Sequence, residues 1–139
     1  MEGISKEVNV LAPQEIVYRA VSTPEGLHGW WCKALTTDKN SGLVQLSFSS
    51  GHLYHISLAK GGSTERVEWD VPDHNVWPEW VGTRLVFDIE GVRPNSSKLR
   101  FQHVGLPPEC GCFGVCEDAW SFLMGSIKAF AETGRGTPG

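Results

Sequence analysis

The hydrophobic period of this 139-residue sequence changes along the chain, and the change constrains the fold more than any other feature. Between residues 43 and 104, apolar side chains recur at every second position in several segments, which is typical of strands with one buried face. Near the C-terminus the spacing becomes helical, with the apolar residues Cys116, Trp120, Leu123, Ile127 and Phe130. An antiparallel sheet with one apolar face needs a cover, and only this last helix is long enough to provide it.

The N-terminal part predicts one strand followed by two short helices. In ISKEVNVLA, apolar residues alternate with polar ones, which indicates a first strand. Pro13 begins PQEIVYRAVS, because proline is tolerated in the first turn of a helix. Thr23 and Pro24 give a similar start signal for PEGLHGWW, with Thr23 as the N-cap. Gly134 supplies a stop signal for the long C-terminal helix.

A first hairpin is predicted around Gly61 and Gly62, which are flanked by HLYHISLAK and TERVEWDV. If these glycines form the turn, Tyr54 lies opposite Trp69, and Ile56 lies opposite Val67. The other face then pairs two further sets of residues, His55 with Glu68 and Ser57 with Arg66.

A second hairpin is predicted in GTRLVFDIEGVRPNSSKLRFQHVGL, centred on Pro94. This register places Phe87 opposite Phe101 on the inner face. It also sets Leu85 against His103 and Ile89 against Leu99. On the outer face it brings together opposite charges, Asp88 with Arg100 and Glu90 with Lys98, and such pairs favour the register modestly.

Together these elements predict an α+β chain with a single domain over residues 1–139. Its curved six-stranded antiparallel sheet wraps around the long C-terminal helix, and two short helices lie between strands 1 and 2. Six Trp and six Phe are many for this length, so large aromatic surfaces are either buried or offered to a ligand.

Charge and hydropathy indicate which partners to expect. The net charge is −4 and the twelve basic residues are scattered, so nucleic acid is not an expected partner. No apolar stretch approaches the roughly 20 residues that a membrane span needs. The first ten residues contain no apolar signal-peptide core, so we expect a cytoplasmic protein without structural disulfides.

Five stretches of the sequence resemble a known group of proteins. They are TPEGLHGWW (23–31), ERVEWDV (65–71), EWVGTRLVFDI (79–89), LRFQHVGLP (99–107) and CEDAWSFLMGSIKAFAETGRGTP (116–138). In this order they resemble the helix-grip superfamily of START (SRPBCC) domains, pollen allergens and polyketide cyclases. Within it the chain resembles the family of activators of the heat-shock-protein-ninety ATPase. The resemblance implies a helix-grip fold and an apolar cavity between sheet and helix.

The cysteine cluster CGCFGVC could suggest a metal site. A structural zinc site needs four ligands, usually in two separated pairs, and only His103 is available as a fourth ligand beside Cys110, Cys112 and Cys116. We therefore predict no metal and no cofactor. Cys116 is expected on the buried face of the helix, where a thiol behaves as a small apolar group.

The histidines differ in their expected surroundings. His52 and His55 are three apart on a strand, so they point to opposite faces and cannot share a metal. His28 and His74 lie in segments expected at the surface and are predicted to be solvated. His103 is predicted to face inward and to be neutral at pH 7, either as a core histidine or as a functional group.

The aromatic residues are the candidate ligand contacts. The predicted ligand-binding set comprises Trp31, Tyr54, Trp69, Phe87, Phe101, His103 and Trp120, which should all face the space between the sheet and the helix. Trp77 and Trp80 lie in the connection between two strands, where they form either a lid packed on the domain or a partner surface.

Three functions remain open from the sequence. The first is binding of an apolar or aromatic small molecule, with His103 and Tyr54 as polar groups in an otherwise apolar cavity. The second is a cyclase or dehydratase in which His103 acts as general acid or base and Tyr54 donates a hydrogen bond. The third is a protein-interaction module, including the ATPase-activator role that the family name implies.

Overall fold

A seven-stranded antiparallel sheet forms most of the structure, a computed structural model that describes residues 3–38, 43–48, 51–60, 65–75, 77–106 and 113–138. The strands are β1 Gly3–Val10, β2 Ala34–Thr37, β3 Leu43–Ser47, β4 Leu53–Lys60, β5 Arg66–His74, β6 Arg84–Arg93 and β7 Ser96–Val104. Their spatial order is β1-β7-β6-β5-β4-β3-β2. The helices are α1 Gln14–Ser22, α2 Pro24–Trp30 and α3 Phe113–Thr133, with a short 3₁₀ helix at Pro78–Trp80.

The predicted helix-grip α+β fold is confirmed, but the predicted number of six strands is wrong. The additional strand is β2, which has four residues and lies at the edge of the sheet beside β3. Three of its residues are exposed and one is half-buried, so neither face is buried well enough to produce an alternating pattern. A strand of this kind leaves no period of two in the sequence.

The two short helices form where the sequence predicts them. Thr23 caps α2, because its Oγ1 accepts a hydrogen bond from the Gly26 backbone N–H at 3.0 Å. The indole Nε1–H of Trp30 donates to the carbonyl of Ala20 at 2.6 Å and ties α2 to α1. Gly26 permits this close approach, since an added Cβ would lie 2.5 Å from the carbonyl oxygens of Arg19 and Ala20.

The predicted register of the second hairpin is confirmed. Phe87 lies opposite Phe101, and the other predicted pairs of β6 and β7 also match. The charged side chains of β6 and β7 also form hydrogen bonds with side chains on the neighbouring strands β5 and β1. Asp88 accepts a 2.6 Å hydrogen bond from Arg66 on β5, and Arg100 bonds Glu7 on β1 at 3.2 Å. The outer face of the sheet therefore carries ion pairs across several strands.

The predicted register of the first hairpin is wrong. Tyr54 lies opposite His74 rather than Trp69, and Ser57 lies opposite Asp70 rather than Arg66. The register shifts twice along this pair of strands, between His55 and Ser57 and again between Leu58 and Lys60. Such shifts displace every later pair, so the turn signal alone fixes the register poorly. Gly61 and Gly62 lie outside the described residues.

Helix α3 packs against β1, α1 and α2 and covers the inner face of the sheet. The largest fully buried side chains are Trp30, Trp69, Phe87, Phe101 and Trp120. At the C-terminal end, Glu132 accepts a 2.8 Å hydrogen bond from the Leu11 N–H, and Lys128 donates to the carbonyl of Asn9 at 2.8 Å. The helix ends at the predicted stop, Gly134, which has a φ of +84°. In the described part of the chain, no helix is both long and apolar enough to cross a membrane.

Candidate functional site

A groove of about 500 Å³ lies between α3 and the part of the sheet formed by β3, β4 and β5. Seven Phe, Tyr and Trp side chains line it: Trp31, Phe48, Tyr54, Trp77, Trp80, Trp120 and Phe122. The apolar side chains that α3 contributes are Val115, Cys116, Ala119, Leu123 and Phe122. These residues recur three or four positions apart along the helix, so one face of α3 supplies this wall.

The groove is open to solvent at its mouth. Val115 and Phe122 are 59% and 60% exposed, although both are large apolar residues. Trp77 is only partly buried against the core and lines the same groove. An exposed apolar surface around a concave site is typical of a place where a ligand or partner binds.

The aromatic walls contact one another closely. The rings of Trp80 and Trp120 stack at 6.2 Å between centroids with an interplanar angle of 17°. Trp31 lies 5.3 Å from Trp120, and Tyr54 lies 5.4 Å from Trp80. The aromatic walls of the groove therefore pack against one another through Trp80, Trp120, Trp31 and Tyr54.

Tyr54 offers a protonated hydroxyl group at this site. Burial is the main reason that the pKa of Tyr54 lies well above its usual value, and the nearby Cys32 adds to this effect. A hydrogen bond with the Trp31 side chain acts in the opposite direction and is outweighed. Tyr54 therefore remains a neutral phenol at physiological pH.

The prediction that His74 is solvated is wrong. Its ring is half-buried, lines the groove and stacks on Tyr54 at 4.3 Å between centroids. Its Nδ1 accepts a 2.9 Å hydrogen bond from the Trp77 backbone N–H. Burial, followed by the proximity of His52, lowers the pKa of His74 to about 4, so the ring is neutral at pH 7. The other histidine with this prediction, His28, is exposed.

His103 is fully buried and lies behind Trp80, with 4.6 Å between the ring centroids. Its Nε2 is 2.9 Å from Oγ1 of Thr83, whose hydroxyl donates to the Trp80 carbonyl at 2.5 Å. Because Thr83 has a single hydroxyl proton, Nε2 of His103 must be the donor to Thr83. Burial, then His74, lowers the pKa of His103 to about 3. The ring is therefore neutral and unprotonated on Nδ1.

The structure divides the predicted ligand-binding set into two groups. Trp31, Tyr54 and Trp120 line the groove. The other residues, Trp69, Phe87, Phe101 and His103, are buried and are not among the residues that line it. The indole of Trp69 donates to the Val21 carbonyl at 2.7 Å, which gives it a structural contact with α1.

Several groove residues were not predicted from the sequence. Phe48, His52 and His74 line the groove without having been assigned to it. His74 could have been found from the correct strand register, since it lies opposite Tyr54. Trp80 is buried and donates to Sγ of Cys116 at 3.2 Å, so the 3₁₀ segment packs on the domain.

Of the three clustered cysteines, the structure describes only Cys116. Cys110 and Cys112 lie outside the described residues. Cys116 is buried on α3, as expected for a packing residue. Within the described ranges, no group of three or more His, Cys, Asp or Glu side chains could hold a metal ion.

The fold of this chain is similar to that of several proteins with solved structures. The solution structure of the Aha1 dimer from Colwellia psychrerythraea aligns with a TM-score of 0.82 and 25% identity, covering 98% of this chain and all of that one. A START superfamily protein from Mycobacterium smegmatis aligns with a TM-score of 0.63 and 16% identity, covering 93% of this chain and 92% of that one.

A third similar structure is DynU16, a protein of the dynemicin biosynthetic locus. It aligns with a TM-score of 0.70 and 19% identity over 98% of this chain and 49% of its own length. No family model matches the chain, and no curated protein matches it significantly. From these structures and its own architecture, the chain has the helix-grip fold, and it is similar to the Aha1 structure over nearly its whole length.

Proposed function

We propose that the groove beside α3 binds an apolar or aromatic small molecule. One observation carries this proposal: seven Phe, Tyr and Trp side chains, together with the apolar face of α3, enclose about 500 Å³ that remains open at the mouth. Small-molecule sites are usually concave and mostly apolar, with few polar groups that set the orientation of the ligand. Tyr54, His52, His74 and Thr137 supply polar groups to this groove.

The structural neighbours support the same class of function. One of them is described as a START superfamily protein, and another belongs to a biosynthetic locus. They agree with a role in which the space between sheet and helix holds a small molecule.

Binding is better supported than acid–base catalysis by His103. Its ring lies behind Trp80, and its hydrogen-bond partner is the Thr83 hydroxyl rather than a carboxylate. An efficient general base has a pKa near the operating pH, whereas the pKa of His103 is lowered to about 3. The protein-interaction function has less support at the Trp77–Trp80 segment, since Trp80 is buried there.

Filling the groove provides a direct test. Ala119 is an exposed residue of α3 that lines the groove, whereas Ser121 is exposed on the same helix and is not among the lining residues. We expect Ala119→Trp to weaken the binding of 2-methylnaphthalene at least about tenfold, because the new indole occupies the ligand's space. Ser121→Trp is the matched control and should bind as the wild type does.

Isothermal titration calorimetry measures both affinities, and thermal unfolding checks that the two variants fold equally well. If the wild-type protein binds neither 2-methylnaphthalene nor 2-naphthol, the proposed function is wrong. If Ala119→Trp binds 2-methylnaphthalene as tightly as the wild type does, the binding site lies outside this groove.

A further inference from the structure

Two buried polar atoms beside the groove have no hydrogen-bond partner in the described part of the chain. One is Nε1 of Trp120, which carries a proton and can only donate. The other is Nδ1 of His103. Burying either atom without a partner is unfavourable, and native proteins leave few such atoms, so each one needs an explanation.

The two atoms have opposite hydrogen-bonding roles. Thr83 accepts the Nε2 proton of His103, since its own hydroxyl proton goes to the Trp80 carbonyl. The neutral imidazole therefore presents an unprotonated Nδ1 that can only accept. Trp120 thus supplies an unused donor, and His103 supplies an unused acceptor.

The rings of Trp120 and His103 are neighbours in the structure. Their centroids are 6.2 Å apart in an edge-to-face arrangement. Two hydrogen bonds of ordinary length around a single oxygen join nitrogens that are up to about 5–6 Å apart. A hydroxyl oxygen can accept from the indole and donate to the imidazole at the same time, whereas a carbonyl or an ether can only accept.

We propose that the ligand of this groove carries a hydroxyl group that accepts a hydrogen bond from Nε1 of Trp120 and donates one to Nδ1 of His103. This inference rests on the proposed function of the groove. It names the ligand class as apolar alcohols or phenols.

Access to this pair requires a shift of Trp80, which lines the groove and lies against both rings. The indole of Trp80 donates to Sγ of Cys116, and a thiol is a weak acceptor. The ligand's ring takes the place of the displaced indole surface, and its hydroxyl group replaces any water that joins the two nitrogens.

A matched pair of probes tests the proposal by calorimetry. 2-Naphthol and 2-methylnaphthalene have similar shapes and differ in the hydroxyl group. We expect the wild-type protein to bind 2-naphthol about tenfold more tightly, the size of one to two neutral hydrogen bonds. 2-Methoxynaphthalene, whose oxygen can accept but not donate, should lose this advantage.

Three variants locate the preference. Trp120→Phe removes the indole donor, and His103→Leu removes the imidazole acceptor without supplying another, so both should reduce the preference to about twofold or less. Trp77→Phe is the matched control, because Trp77 lines the groove without contributing to the pair. It should change the affinities for both probes by the same factor.

Nuclear magnetic resonance of the wild-type protein keeps the proposal testable if a variant does not fold. 2-Naphthol should move the indole N–H resonance of Trp120 and the Nδ1 resonance of His103, and 2-methylnaphthalene should move neither by a comparable amount. Equal affinity for the two probes, or a preference that survives in Trp120→Phe, overturns the hydroxyl proposal while leaving the groove function intact. Binding of neither probe overturns both.

Discussion

At the scale of single residues, the burial of His103 makes the stability of the folded protein depend on pH. Its pKa in the folded protein is about 3, below the usual 6.5, mainly because burial disfavours the charged ring. Between these two pH values the unfolded chain binds the proton and the folded chain does not. The free energy of unfolding therefore decreases as the pH falls from about 6.5 towards 3.

This relation predicts the effect of His103→Gln. By linkage, protonation of His103 in the unfolded chain should make the wild-type free energy of unfolding about 2 kcal/mol smaller at pH 5 than at pH 7. Gln does not titrate, so the variant should lose about 2 kcal/mol less over this range, even if it is less stable at pH 7. Urea unfolding at both pH values measures the difference. His74 acts in the same direction but is present in both proteins. An unchanged pH dependence in the variant would contradict the assigned state of His103.

Single residues also show how far the sequence defines the candidate site. Alternation and helical spacing placed Tyr54 and Trp120 on inward faces, and both line the groove. The same patterns placed Phe87 and Phe101 inward, yet these residues are in the closed core. Facing inward is a local property of an element. Whether an inward residue meets another side chain or open space depends on where helix and sheet diverge, which periodicity does not encode.

At the scale of elements, the junction of α1 and α2 depends on a glycine. Gly26→Ala should lower the free energy of unfolding by about 1–3 kcal/mol, because its Cβ would lie 2.5 Å from backbone oxygens that cannot easily move. Gly125→Ala is the matched control on α3, where an added Cβ has nothing within 4 Å. It should raise stability by about 0.5–1 kcal/mol through helix propensity. Urea unfolding at pH 7 compares them, and a Gly26→Ala protein as stable as wild type would rule out the close approach.

The two hairpins show which element-level features the sequence can define. For β6 and β7, the inward residues and the outer charges agreed on one register, and the pairing around Phe87 and Phe101 is confirmed. For β4 and β5, the prediction rested on the turn glycines alone, and irregular pairing displaced it. Only the correct register puts His74 opposite Tyr54, so this one error concealed a residue of the groove.

At the scale of the whole molecule, the space between sheet and helix has two regions with different roles. In one, Phe87, Phe101 and Trp30 are fully buried and hold α2, α3 and the sheet together. In the other, α3 and the strands from β3 to β5 leave a groove with exposed apolar residues at its mouth. Stability should therefore depend mainly on the first region and ligand affinity mainly on the second.

Two phenylalanine-to-alanine substitutions test this division. Phe87→Ala removes a fully buried ring and should cost about 3–5 kcal/mol of unfolding free energy. Phe122→Ala removes a ring that is 60% exposed at the groove, and should change stability by no more than about 0.5 kcal/mol. The lost apolar contact should nevertheless weaken 2-methylnaphthalene binding by about threefold to tenfold. Urea unfolding and calorimetry separate the two effects. If Phe122→Ala destabilises the protein as Phe87→Ala does, or leaves ligand affinity unchanged, the groove is not a separate functional region of the fold.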